Sequence, residues 1–132
     1  MERALDSVVL QRFRRYKSTV EREYRRWHSV GQYASHLGCS EKSLSRATRT
    51  VVDASAKALL VDRIVLEAKR LLAHSASPVA VIAAELGFDE ATNFVKFFRR
   101  ETGATPGSFR SRHVAGPRAA GRASPAKSAS RP

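Results

Sequence analysis

Two clusters of polar and small residues suggest what this chain's chemistry would be. Lys42, Ser43, Ser45, Arg46 and Arg49 form the first, and Ala91, Thr92, Asn93, Lys96 and Arg100 form the second. Neither contains a nucleophile beside a base, a metal-ligand set or a phosphate loop, so catalysis is not the expected function. Their shared chemistry is hydrogen bonding to flat, heteroatom-rich partners and to anions. Asn pairs in two-pronged fashion with adenine and Arg with guanine. Thr meets a base or a thymine methyl, and Lys reaches guanine or phosphate. Thr92, Asn93 and Lys96 are the strongest candidates, with Arg46 the best of the first cluster. The competing reading of each is an ordinary solvated helix face.

Both clusters follow the same local pattern. Tyr33-Ala34-Ser35-His36-Leu37-Gly38-Cys39-Ser40-Glu41 aligns with Ile82-Ala83-Ala84-Glu85-Leu86-Gly87-Phe88-Asp89-Glu90 at an offset of 49 residues. A helix-turn-helix explains each shared position. Ala34 and Ala83 are small enough for two helices to cross closely. Gly38 and Gly87 accept positive φ without steric cost and end the first helix. Cys39 and Phe88 turn inward, and a side-chain oxygen of Ser40 or Asp89 caps the second helix. Leu44 follows as inward anchor in one copy, and Phe94, Phe97 and Phe98 in the other. The named clusters are left on the outer face. In such a pair the second helix lies in the major groove with its N-terminal residues on base edges.

The remaining sequence supplies the scaffold. Val9, Phe13, Tyr16, Val20, Tyr24 and Trp27 recur in steps of 4, 3, 4, 4 and 3, which predicts a helix with one apolar seam. Asp6 or Ser7 is its expected cap. The seam would pack on the domain or pair with a second chain. Ala56 to His74 reads as a helix without Gly or Pro, with Leu60, Ile64, Ala68, Leu71 and Leu72 on one side. At ~1.5 Å per residue it would be a rod of roughly 28 Å, able to hold two recognition helices about one DNA turn apart, roughly 34 Å. Ser77-Pro78 and Thr105-Pro106 each read as a cap followed by a first-turn proline, and Gly103 as a helix stop. Residues 114–132 hold one valine and no aromatic, so disorder is expected there. No strand-like alternation appears. The predicted fold is all-α: two helix-turn-helix subdomains joined by a long helix, plus an N-terminal helix and a disordered basic tail. The expected divisions are a connecting helix at 1–27, a first unit at 28–55, a linker helix at 56–75, a second unit at 76–112 and the tail at 113–132.

Composition agrees with a polyanion as partner. The 132 residues include 24 Lys and Arg against 12 Asp and Glu, for a net charge of +12. Five of those positive charges follow Arg110 with no acid among them; taking five from twelve leaves residues 1–110 at +7. A basic folded part therefore remains, which favours double-stranded DNA over a membrane surface. One cysteine, Cys39, forms no internal disulfide and reads as a buried packing thiol. His28, His36, His74 and His113 are too dispersed for a zinc cluster, and no cofactor is expected. Trp27 is assigned to the core, and Glu41 and Glu90 to the positive ends of their helices. No apolar run is long enough to span a bilayer, and a cytoplasmic setting is expected.

Three stretches resemble a known family: Glu67-Ala68-Lys69-Arg70-Leu71-Leu72, Ile82 to Phe88, and Phe94 through Gly103-Ala104-Thr105-Pro106 to Arg110. Together they are similar to the signature of AraC/XylS-type transcriptional regulators, over about Trp27 to Arg110. The resemblance implies a DNA-binding domain of about seven helices whose recognition helices enter adjacent major grooves of a promoter. Its base-contacting positions would fall on Lys42, Ser45 and Arg46, and on Ala91, Thr92, Asn93 and Lys96. It also implies work at the bacterial nucleoid, with RNA polymerase and a second copy as further partners. Two departures stand out. Thr48 replaces an aromatic core residue, and Thr50-Val51-Val52-Asp53 lacks the usual glycine, so a looser first unit is expected. Only about 26 residues precede Trp27, which reads as a short member or as a fragment lacking an effector domain. The alternative function is an adaptor with a degenerate DNA-binding domain, pairing with a partner regulator through its N-terminal helix.

Overall fold

The computed structural model describes residues 2–113, with side chains from Ser7 onward. The tail expected to be disordered, 114–132, lies outside the described residues. Seven helices and no strand occur among the described residues: α1 (Glu2–Glu23), α2 (Val30–Leu37), α3 (Glu41–Val52), α4 (Ala56–His74), α5 (Val79–Glu85), α6 (Ala91–Thr102) and α7 (Pro106–His113). The all-α reading therefore holds, and α4 has the bounds that its unbroken run of helix formers predicts.

The seam of α1 is turned inward. Phe13, Tyr16, Val20 and Tyr24 are buried, with Tyr16 fully so. The Tyr16 hydroxyl donates to the carbonyl of Ala56 at 2.6 Å, tying α1 to the first residue of α4, and burial pushes its pKa upward. Tyr33 meets Tyr16 edge-on at 5.5 Å and Trp27 at 5.4 Å, and its hydroxyl donates to the Trp27 carbonyl. Thr48 is fully buried, and its hydroxyl donates to the Ser45 carbonyl at 3.0 Å. Its polar group is thus satisfied, which removes most of the cost of burying it.

Along α4, Leu60, Ile64, Ala68 and Leu72 are buried at helical spacing, with Leu71 packed partly against them. One continuous core runs from Tyr16 and Tyr33 through this stripe to Ile82, Leu86, Phe94 and Phe98. At the far end Arg110 reaches back from α7. Its guanidinium donates to the carbonyls of Leu72 and Ser75, satisfying acceptors that the end of α4 leaves open.

Several helix ends differ from the sequence-based expectation. Helix α1 begins before Asp6 and Ser7, so neither caps it, and it stops at Glu23 rather than reaching Trp27. Pro78 occupies the position just outside α5 with no side-chain cap, so Ser77 does not cap that helix. The residue flanking α6 is Glu90 rather than Asp89, again without a side-chain cap. The shift at α6 has a physical cause: the turn glycines stand 49 residues apart but the anchors Leu44 and Phe94 stand 50 apart, so the second turn carries one more residue before its helix. By contrast Ser40 accepts from the Ser43 amide, and Thr105 from the Ser108 amide, as capping chemistry requires. Where the glycine is missing, Asp53 itself adopts the left-handed conformation at φ 57° and closes α3.

Candidate nucleic-acid interface

In the first unit, Ser29 and Gln32 form a reciprocal capping box that starts α2. Gly38, at φ 71°, ends it through bonds back to Ala34 and Ser35. Ala34 is buried where α2 meets its neighbours, as is its counterpart Ala83 in α5. Leu44, Ala47 and Thr48 then fix α3 by its inner face, which leaves Lys42, Arg46 and Arg49 exposed. Ser43 and Ser45 are half-buried and their hydroxyls are already engaged. Ser43 Oγ accepts from Ser40 Oγ at 3.0 Å. Ser45 Oγ accepts from the Ala56 amide at 3.3 Å, which pins α3 to the start of α4. The turn residue Cys39 is half-buried against the core.

In the second unit, Phe94, Phe97 and Phe98 anchor α6. Phe88 from the turn lies 5.3 Å from Phe94 and 5.2 Å from Phe97. Thr92, Asn93, Lys96 and Arg100 are exposed, and their spacing places them on one side of the helix. Ala91 is half-buried and packs on the core. Arg100 makes an exposed pair with Glu101 at 3.2 Å and lies over the Phe97 ring. The structure thus brings Thr92, Asn93 and Lys96 together as free polar groups on one rigid face. Arg46 and Lys42 form the matching pair on α3.

Sequence reasoning missed the residues that lock these helices in place. Glu67 is buried on α4, where it accepts from Arg25 at 2.7 Å and from Arg70 at 2.6 Å. Hydrogen bonding to Arg70, helped by the charges of Arg70, Arg25 and Arg63, holds its carboxyl below the ordinary value against the opposing effect of burial. A signal was present, because Glu67 stands among the inward positions Ile64, Ala68 and Leu71. Its partner 42 residues away had none. Arg110 belonged to the family signature, but only the structure gives it a physical task.

Fold and exposed faces define a protein of two helix-turn-helix units mounted on one connecting helix. The helix-turn-helix domain family model matches residues 33–112, and the chain belongs to that family, in its AraC-type branch. The arabinose operon regulatory protein of Salmonella typhimurium is 31% identical over 81 residues, which cover 61% of this chain and 29% of that protein. The transcriptional activator RhaR of Escherichia coli is 30% identical over 82 residues, covering 62% and 29%. This chain thus spans about three tenths of the length of these curated relatives. Among solved structures, the C-terminal domain of AraT from Geobacillus stearothermophilus superposes with a TM-score of 0.72 at 22% identity, covering 80% of this chain and 88% of that one. The DNA-binding domain of the transcriptional factor AdpA, solved with a target DNA, gives 0.59 at 26% identity, covering 70% and 82%.

Proposed function

We infer that this chain binds double-stranded DNA in a sequence-dependent way and thereby regulates transcription. One observation carries the reading: two helix-turn-helix units each bury the inner face of their second helix and leave base-pairing side chains exposed on the outer one. Thr92, Asn93 and Lys96 read bases from α6, and Arg46 with Lys42 reads from α3. Arg49 and Arg100 lie further along their helices and suit phosphates. Ala91 suits a thymine methyl. Ser43 and Ser45, whose hydroxyls hold the local fold, contribute shape more than readout. The DNA-bound AdpA domain and the regulators among the relatives support the same reading. RNA polymerase is the further partner through which a bound regulator would act, at the chromosome in the cytoplasm. The adaptor alternative loses its main support, because the seam of α1 is buried against its own domain. That burial also removes the seam as a pairing surface for a second copy.

Selection of bound duplexes from a random pool is the direct test. Two conserved blocks about one helical turn apart are expected. Asn93→Ala should relax one position of the second block, at about 1–3 kcal/mol. Lys96→Ala should weaken that block too, and if the ammonium meets a phosphate it should lower the salt slope by about one. Recovery of no preferred sequence, with both variants binding like the parent, would overturn the reading.

A further inference from the structure

Besides α4, a second connection joins the two units, and nothing covalent runs through it. The segment Arg25–His28, between α1 and α2, belongs to the first unit through the Trp27–Tyr33 ring contact and the Tyr33 hydroxyl on the Trp27 carbonyl. Its other side lies on the turn of the second unit. His28 Nε2 is 2.8 Å from the carbonyl oxygen of Leu86. Because that partner only accepts, Nε2 must carry the proton and donate. The His28 ring also meets Phe88 at 4.8 Å, and Phe88 in turn touches Phe94 and Phe97 of α6. Beside it the Arg25 carbonyl approaches Gly87 so closely that a Cβ there would overlap the oxygen. The Arg25 side chain holds the segment down on α4 through Glu67.

We propose that the Arg25–His28 segment is a clamp that fixes α6 relative to α3, and so sets the separation of DNA blocks that the protein accepts. His28 is its positioning residue. A chain of contacts runs from Tyr33 through Trp27 and His28 to Leu86 and Phe88, and from there to the recognition helix. The core around Leu72 and the bonds of Arg110 hold the far unit on the end of α4. The clamp adds a tie from the first unit itself, at the turn that leads into α6. The DNA part of this inference rests on the function proposed above, whereas the clamp itself is a property of the protein alone.

The test therefore has two arms, both using the full chain. In the first, spin labels are placed on the exposed faces of α2 and α6 by Ser35→Cys and Glu101→Cys in a Cys39→Ser background. The inter-label distance distribution is then measured without DNA. His28→Ala should broaden or shift it while helix content stays unchanged. His28→Gln, whose amide nitrogen reaches about as far as Nε2, should stay near the parent. An unchanged distribution in His28→Ala would overturn the clamp. So would equal broadening in both variants, since the donor would then not matter. In the second arm, binding is measured on duplexes whose two blocks are separated by a graded spacer. The parent should prefer one spacer length. His28→Ala should lose about tenfold on that duplex, as rigidity of the linked pair is lost, and should flatten the spacer profile. A uniform loss at all spacers would mark His28 as merely structural and overturn the assignment. Were the parent to bind every duplex alike, the function proposed above would fail, and the distance measurement would still decide the clamp.

Discussion

Glu67 occupies an inward position of α4 and still carries its charge, because two guanidinia meet it there. The linkage has a definite sign. Its folded pKa lies below the ordinary 4.5, so its contribution to stability is fully present above that pH and is lost as pH falls through the lowered value. Glu67→Gln should therefore cost about 1–2 kcal/mol at neutral pH, less than a fully buried pair because both arginines stay half-exposed. The difference from the parent should shrink on acidification; chemical denaturation at several pH values measures it, and a pH-independent difference would refute the charge argument. At this scale sequence and structure diverged most. Lys42, Arg46, Arg49, Thr92, Asn93, Lys96 and Arg100 were legible as outward because a face follows from helical spacing, whereas Ser43, Ser45 and Ala91, read as outward too, lie half-buried at the edge of that face. Arg25 and Arg110 were not, since their partners lie 42 and 38 residues away and no periodicity links them.

The two turn glycines look equivalent in the sequence and differ in the fold. Gly38 and Gly87 both have positive φ, but a Cβ at Gly38 would meet nothing, whereas one at Gly87 would strike the Arg25 carbonyl. Gly38→Ala should cost about 1 kcal/mol, the strain of a left-handed alanine. Gly87→Ala should cost well over twice that, since backbone must move as well, and thermal denaturation of the pair reads the difference. Helix α3 offers the reverse case. Asp53 closes it in the left-handed conformation, with a carboxylate near the negative end of the helix. Asp53→Gly is expected to stabilise by roughly 0.5–1 kcal/mol, and a lower melting temperature would contradict that account. Existence and order of the helices were legible from periodicity and breakers. Their ends were less so. The extra residue in the second turn shifted its cap by one, and the start of α1 had no distinct signal.

For the whole molecule, one core joins both units across α4. Heating should therefore give a single transition whose calorimetric and van't Hoff enthalpies agree; two resolved transitions would mean that the units melt separately. The sequence revealed two copies of a motif and a rod between them, which suggests two beads on a stick. It concealed the segment at 25–28, because a carbonyl against a glycine leaves no side-chain pattern to read. That contact bears on how such proteins diversify. A recombination event that brings in a new second unit must import a residue without a side chain at position 87, and a turn whose backbone carbonyl at 86 still faces His28. Exchange of DNA specificity by shuffling halves is thus restricted to donors with a compatible seam, whereas point changes on α6 remain open at every exposed position.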